Sequence, residues 1–170
     1  MSAEPGDGEP AKVSRRVEAP AETVWSVLAD GWTYASWVVG TSRIRRVERE
    51  WPAVGARIHH SFGVWPALID DDTEVLSSDP PRELLLEARG WPAGEAHVRL
   101  TLTPDGPDAT TVTIEEDVTA GPATMLPEPL RQLAIVPRNK EALRRLAYIA
   151  EGRRLRSAGE PAGAGPGGVV

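Results

Sequence analysis

The sequence of 170 residues contains no cysteine, which excludes disulfides and thiolate metal ligands. It has no excess of positive charge, since the formal net charge is −6, so the basic footprint of a nucleic-acid-binding protein is missing. No apolar run approaches the roughly 20 residues of a membrane span. The first residues, MSAEPGDGEPAK, lack the basic and apolar regions of a signal peptide. We therefore expect a soluble, cytoplasmic protein with no nucleic-acid partner and no membrane span.

The motifs of several enzyme classes are also missing. There is no glycine-rich phosphate loop and no nucleophile-elbow motif, which argues against nucleotide chemistry and serine hydrolysis. The histidines His59, His60 and His97 show none of the spacings that build zinc sites. The acidic run DDDTE at 70–74 matches no calcium loop, and we expect it to interrupt a strand as an exposed bulge or solvated edge. The sequence therefore predicts neither a metal nor a cofactor.

What the chain does contain is enough apolar material for one domain. Hydrophobic residues make up 41% of the sequence, which supports a core at this length. Residues 1–11 and 157–170 are rich in Gly, Pro and Ala and offer little to bury. We therefore expect a single domain at 12–156 between two disordered tails.

Hydrophobic periodicity gives the order of the elements. Residues 12–18 alternate as a strand, and residues 19–30 then take helical spacing, followed by a second short helical or looped piece, TYASW. From residue 41 onward, successive strand patterns are joined by Pro- and Gly-containing turns, which indicates an antiparallel meander. A long amphipathic helix ends the pattern, and Pro137 inside it predicts a kink or a break.

This order predicts an α+β fold. A curved antiparallel sheet of about seven strands would wrap around the long C-terminal helix, with two short helices after the first strand. Only the last helix is long enough to cover the apolar face of such a sheet. An internal cavity is natural if the sheet curves strongly around it.

The segments VEAPAETVWSVLADGWTYASW and PRNKEALRRLAYIAEGR, together with this order, resemble the START/SRPBCC helix-grip superfamily, in its polyketide cyclase/dehydrase-like branch. The resemblance covers roughly residues 12–154. Its most specific motif is carried by Val17, Ala19, Pro20, Val24, Trp25, Leu28 and Asp30, with Trp37 beyond it. This motif is a fold signature without a catalytic residue. The resemblance implies a ligand cavity between the sheet and the last helix, but no single reaction, because members carry lipids and hormones or cyclise and aromatise polyketides.

The two adjacent histidines are predicted to point in opposite directions. Successive side chains of a strand face opposite sides, so His60 shares the apolar face with Ile58 and Phe62, whereas His59 faces water. His97 also alternates with polar residues and is expected to be exposed. Adjacent strand residues cannot chelate one metal. His60 is thus either a cavity-wall histidine with a single hydrogen-bond partner or a general acid or base.

Glu116 is the second candidate, because it shares a strand face with Val112, Ile114 and Val118. A carboxylate on an apolar face needs a partner or a raised pKa. Three interpretations stay open: a pocket acid, the salt-bridge partner of an arginine, or an edge residue kept wet by a bulge. His60 and Glu116 would form a proton-transfer pair if they faced one cavity.

Tryptophan is unusually frequent, with six among nine aromatic residues, counting one Phe and two Tyr. Trp25 fits the buried stripe of the first helix. Trp51, Trp65 and Trp91 each precede a proline near a turn, where they either plug the ends of the sheet or line a cavity mouth. Met125 lies in a proline-rich connector that is either a gate or an ordinary link. The expected ligand-binding residues are Trp37, His60, Phe62, Trp65, Leu86, Trp91, Leu100, Ile114, Glu116, Met125, Leu130 and Leu133.

Two functions follow from the sequence, and whether the protein is an enzyme stays open. The first is the binding of a small hydrophobic or aromatic molecule, lipid- or polyketide-like, in the internal cavity. The second is a polyketide cyclase, aromatase or dehydratase that uses His60 or Glu116 as general acid or base. A partner-binding module has less support, and the sequence does not distinguish a monomer from a homodimer.

Overall fold

The computed structural model describes residues 9–90 and 94–159, and it has the predicted α+β helix-grip architecture. Seven strands form one antiparallel sheet: β1 (Ala11–Val17), β2 (Thr41–Val47), β3 (Arg57–Val64), β4 (Ala67–Asp79), β5 (Glu83–Gly90), β6 (Gly94–Pro104) and β7 (Thr110–Ala120). Two short helices, α1 (Ala21–Leu28) and α2 (Tyr34–Trp37), follow β1, and the long helix α3 (Glu128–Gly159) ends the described chain. Short 3-10 turns span Gly31–Thr33 and Pro122–Met125.

The strands lie in the order β1-β7-β6-β5-β4-β3-β2. Strands β2 to β7 form the predicted meander, and β1 closes the row by pairing with β7, where Val13 lies opposite Ile114. Side-chain alternation is visible in β1, where Val13 and Val17 are buried while Ser14 and Arg16, on the opposite face, are exposed.

Helix α3 packs against β1, α1 and α2, and its buried side chains lie in its middle part. Its buried side chains recur at the three- and four-residue spacing of one helix face and are Asn139, Ala142, Leu143, Leu146, Ala147 and Ala150. The fold-signature residue Asp30 accepts a hydrogen bond from Arg153 Nη2 at 2.7 Å, which ties the end of α1 to α3. The helix is continuous through Pro137, so the predicted break does not occur. The carbonyl that Pro137 leaves without a donor belongs to Leu133, whose side chain lies on the exposed side of the helix.

The acidic run at 70–74 does not interrupt β4, contrary to the prediction. Asp70, Asp71 and Asp72 pair in regular register with Ser61, His60 and His59 of β3, and the irregularity in β4 lies further on, between Val75 and Ser77. The strand stays regular because cations and donors compensate the carboxylates. Asp72 accepts a hydrogen bond from Arg89 Nη1 at 2.9 Å, and Asp70 accepts one from Ser61 Oγ at 2.8 Å.

The described secondary structure reaches slightly beyond residues 12–156. Strand β1 begins at Ala11 and α3 continues to Gly159. The rest of the two predicted tails, 1–8 and 160–170, lies outside the described residues. Within the described part of the chain, no helix combines the length and the apolar character needed to cross a bilayer.

Candidate ligand cavity

A cavity of about 350 Å³ lies between the concave face of the sheet and the N-terminal half of α3. Its floor is built by β3 to β7, one end is closed by α2 and the residues that follow it, and α3 forms the roof. The space exists because α3 meets the core closely only from Ala142 onward, where its face is made of small and aliphatic side chains. Towards its start, the helix borders the cavity and does not pack directly on the sheet.

Most of the cavity wall is apolar. Val98 lies in the middle of the floor, between Leu86 of β5 and Glu116 of β7 in the sheet register. Trp37 and Val38 contribute from the α2 end. Such a wall favours an apolar guest, because its surface cannot hydrogen-bond to water.

A short chain of hydrogen bonds crosses the wall at β3 and β4. The Thr73 hydroxyl lies 3.1 Å from His60 Nε2 and 3.0 Å from Tyr34 Oη. The Tyr34 and His60 rings stack, with their centroids 5.5 Å apart and their planes at 28°. Tyr34 also meets Trp37 edge to face at 5.5 Å. These contacts fix the imidazole from two sides.

Burial sets the protonation of both rings. Desolvation lowers the pKa of His60 below its usual range, although the nearby Asp71 carboxylate opposes that shift. The imidazole is therefore neutral near pH 7. Desolvation likewise raises the pKa of Tyr34 to about 12, so its hydroxyl keeps its proton. The polar chain consists of neutral groups, and it leaves Nδ1 of His60 buried without a partner among the described residues.

Glu116 lines the same cavity but belongs to a separate polar set. Arg138 of α3 donates hydrogen bonds to both carboxylate oxygens, and Asn139 Nδ2 donates at 2.9 Å. The carboxylate is 6% exposed, and it corresponds to the salt-bridge alternative named above. Three strands lie between β3 and β7, so His60 and Glu116 are not neighbours in the sheet although both line the cavity.

The other histidines lie on the outer face of the sheet. His59 Nε2 is 3.2 Å from a Glu48 oxygen, while its neighbour His60 is 3% exposed, so the two side chains point in opposite directions as alternation predicts. His97 lies 3.7 Å from Glu87 and is 42% exposed. Among the described residues there is no cluster of three or more His, Asp or Glu arranged to hold a metal.

The structure brings seven of the expected ligand-binding residues to the cavity wall: Trp37, His60, Phe62, Leu86, Ile114, Glu116 and Leu130. Leu100 is fully buried but lies in the solid core, two residues beyond Val98 along β6. Trp91 lies outside the described residues.

Three further expected residues point away from the cavity and into solvent. Trp65 sits at the tip of the β3–β4 hairpin and is 84% exposed, and Met125 of the second 3-10 turn is 87% exposed. Leu133 is on the far side of α3, about 150° around the helix from the face that lines the cavity. Trp51 instead plugs one end of the sheet, buried and donating from Nε1 to the Leu28 carbonyl at 3.0 Å.

Sequence reasoning missed Thr73 and Tyr34, which orient His60. Side-chain alternation could have identified Thr73, because Thr73 shares a strand face with the buried Val75. The position of Thr73 within the acidic run suggested instead that it was exposed. Tyr34 lies three residues before Trp37, on the same side of a helical turn. Arg138 could not be assigned, since nothing local in the sequence links it to Glu116.

The sequence profile of the family described as "Polyketide cyclase / dehydrase and lipid transport" matches residues 11–151. The chain belongs to this family. A comparison with the curated proteins found no match.

Three solved structures have a similar fold but low sequence identity to this chain. The Zhui aromatase/cyclase from a Streptomyces species is 24% identical, with a TM-score of 0.62, covering 88% of this chain and 97% of the other. A protein from Chromobacterium violaceum is 19% identical, with a TM-score of 0.64 and coverages of 85% and 99%. CalU16 from Micromonospora echinospora is 18% identical, with a TM-score of 0.58 and coverages of 85% and 78%. At these identities the likeness establishes the fold alone.

Proposed function

We propose that the protein binds a small, largely apolar or aromatic molecule in the cavity under α3. The observation that carries this proposal is the cavity itself, whose volume of about 350 Å³ lies within the usual range of small-molecule sites. Membership of a family described by cyclisation, dehydration and lipid transport supports a small-molecule ligand. Each 100 Å² of apolar ligand surface removed from water contributes about 2.5 kcal/mol before the costs of association. We expect dissociation constants of about micromolar.

A pair of substitutions on adjacent residues tests this proposal. Val98→Trp places a large ring in the cavity from the floor, and His97→Trp places the same ring on the outer face of the same strand. The probe is N-phenyl-1-naphthylamine, an uncharged molecule whose fluorescence rises in apolar surroundings. We expect saturable binding by the wild type and by His97→Trp, and about tenfold or greater weakening in Val98→Trp.

Two outcomes would contradict the binding function. One is a wild type that does not enhance the fluorescence of the probe in a saturable way. The other is a folded Val98→Trp variant, checked by circular dichroism, that binds as well as the wild type. Val98→Phe is the smaller replacement to use if the tryptophan variant does not fold.

A cyclase or aromatase activity is the second candidate, and the environment of His60 favours it. The imidazole is neutral, fixed by Thr73 and Tyr34, and borders the space in which a flexible substrate would be held. Glu116 is less suited to proton transfer, because Arg138 and Asn139 engage its oxygens. Binding is ranked first because the two candidates for proton transfer, His60 and Glu116, belong to separate hydrogen-bonded sets of the cavity wall.

The second candidate is tested by turnover of a poly-β-ketone surrogate. His60→Ala should abolish turnover while probe binding persists, and Glu116→Gln should leave turnover within about tenfold of the wild type. Unchanged turnover in both variants would remove this mechanism.

A further inference from the structure

Three buried polar side-chain atoms have no hydrogen-bond partner among the described residues, and all three belong to residues that line the cavity. They are Thr41 Oγ1, His60 Nδ1 and Arg131 Nε. An unsatisfied buried polar group costs about 1–3 kcal/mol, and native proteins contain few of them. Their concentration around one space indicates that a bound molecule completes their hydrogen bonds.

The hydrogen bonds of Thr73 indicate which ring nitrogen of His60 carries the proton. If Tyr34 donates to Thr73 and Thr73 donates to His60 Nε2, both hydroxyl protons are used and the imidazole proton is on Nδ1. The reverse direction would leave the Tyr34 proton and the Nδ1 lone pair both unpaired. The first arrangement leaves fewer groups unsatisfied, so Nδ1 is a donor.

Thr41 lies near His60 in the sheet. Thr41 of β2 pairs in register with Phe62, and Phe62 lies two residues from His60 on β3. Thr41 and His60 are therefore diagonal neighbours across two strands, and both line the cavity. Arg131 adds a donor from the opposite wall, on α3, and a guanidinium accepts no hydrogen bonds. Every unpartnered atom can donate.

We propose that the ligand is an apolar molecule bearing a carbonyl oxygen, an inference that rests on the proposed binding function. This oxygen accepts hydrogen bonds from His60 Nδ1–H and the Thr41 hydroxyl. Its apolar body lies along the floor near Leu86 and Val98, and a second acceptor oxygen reaches Arg131. A pure hydrocarbon would fill the same space but leave these donors unsatisfied, which costs affinity.

Two rigid probes of nearly the same shape test this ligand chemistry: fluorenone, which carries a carbonyl oxygen, and fluorene, which does not. We expect Thr41→Val to weaken fluorenone binding by about three- to tenfold and to change fluorene binding by less than about twofold. His60→Leu should act in the same sense. Thr110→Val is the matched control, because the Thr110 hydroxyl is buried against the Ala19 carbonyl and away from the cavity wall.

The infrared carbonyl band of bound fluorenone gives a second readout that a purely structural effect would not produce. It should lie at lower frequency in the wild type than in Thr41→Val, because hydrogen bonds weaken the C=O stretch. Equal effects of Thr41→Val on both probes, or an unshifted carbonyl band, would overturn the inference while leaving the binding function intact. If neither probe binds the wild type, the binding function itself fails.

Discussion

The chemistry of the cavity depends on one imidazole held neutral by its surroundings. His60 is held by the Thr73 hydroxyl and stacked on Tyr34, and burial lowers its pKa. A neutral ring can donate a hydrogen bond from Nδ1 without placing a charge in an apolar wall. The same burial makes the stability of the protein depend on pH.

Wild-type stability should fall as the pH is lowered from about 7.5 to about 5, by more than that of His60→Leu. An unfolded histidine takes up a proton below about pH 6.5, whereas the folded state resists protonation because its pKa is lower. The stability is therefore fully present above the unfolded value and is lost as the pH falls through the folded value. Urea unfolding at both pH values measures the difference, with His97→Leu as the control for losing a histidine. Parallel pH dependence in the wild type and His60→Leu would contradict a buried neutral ring.

Substitution of Gly40 and of Gly55 distinguishes the cost of backbone conformation from the cost of steric overlap. Both have a positive φ, +99° at Gly40 and +85° at Gly55, but a Cβ at Gly40 would lie 2.2 Å from the Phe62 ring while one at Gly55 would meet nothing within 4 Å. Gly55→Ala should cost about 1–2 kcal/mol from backbone conformation alone. Gly40→Ala should cost about 1–3 kcal/mol more, since Phe62 must move. Equal unfolding free energies for the two variants would argue against this packing.

At the level of elements, β7 and α3 are joined beside the cavity by one polar contact. The Glu116 carboxylate lies under the helix and receives hydrogen bonds from Arg138 and Asn139 on successive residues. A carboxylate that is 6% exposed tolerates its charge only with such partners. The hydrogen bonds to Glu116 therefore hold the N-terminal half of α3 over the sheet, where few apolar side chains are in contact.

Arg138→Met should destabilise the fold by about 1–3 kcal/mol, the cost of a buried charge losing a partner, reduced because Arg138 is partly exposed. Arg144→Met on the same helix is the matched control. Arg144 donates to Glu141 at 2.7 Å on the solvent face, and exposed ion pairs contribute little. Denaturant unfolding compares the two variants. An effect of Arg138→Met no larger than that of Arg144→Met would show that Glu116 does not depend on its arginine.

Elements with a clear period were predictable, and elements governed by distant contacts were not. The alternation around His60 predicted which way it points, because the side-chain period of a strand is fixed. Asp72 lies in a regular strand because Arg89, from a different strand, compensates its charge. Leu133 counted as cavity-facing because local spacing gives a helix without giving its rotation. Pro137 predicted a kink or a break, and the helix is continuous through it, so the break does not occur.

Considered as a whole, the molecule divides into a solid end and an open end. The C-terminal half of α3 is held by Leu143 and Leu146, both essentially buried. Its N-terminal half covers the cavity, and Leu130 there is 55% exposed although it lines the wall. Few buried contacts mean low local stability. On the proposed binding function, a ligand would enter at the open end without disturbing the core.

Backbone amides in the N-terminal half of α3 should exchange with solvent faster than those near Leu146 in the free protein. Bound N-phenyl-1-naphthylamine should slow exchange in the N-terminal half selectively, by about tenfold or more at saturation, because ligand binding favours the closed state. Hydrogen–deuterium exchange followed by mass spectrometry measures both effects. Equal exchange rates along the whole of α3, with no change when the probe binds, would contradict a less stable N-terminal half.

A crystal of the protein soaked with 2-bromofluorenone would show whether the space under α3 is a ligand site. The anomalous signal of bromine marks the position of the molecule without ambiguity. The account predicts one bromine peak between β6 and the N-terminal half of α3, with the ketone oxygen within hydrogen-bond distance of His60 and Thr41. A bromine peak only on the outer surface, or a cavity that stays empty in soaked crystals while the probe is at saturating concentration, would contradict it.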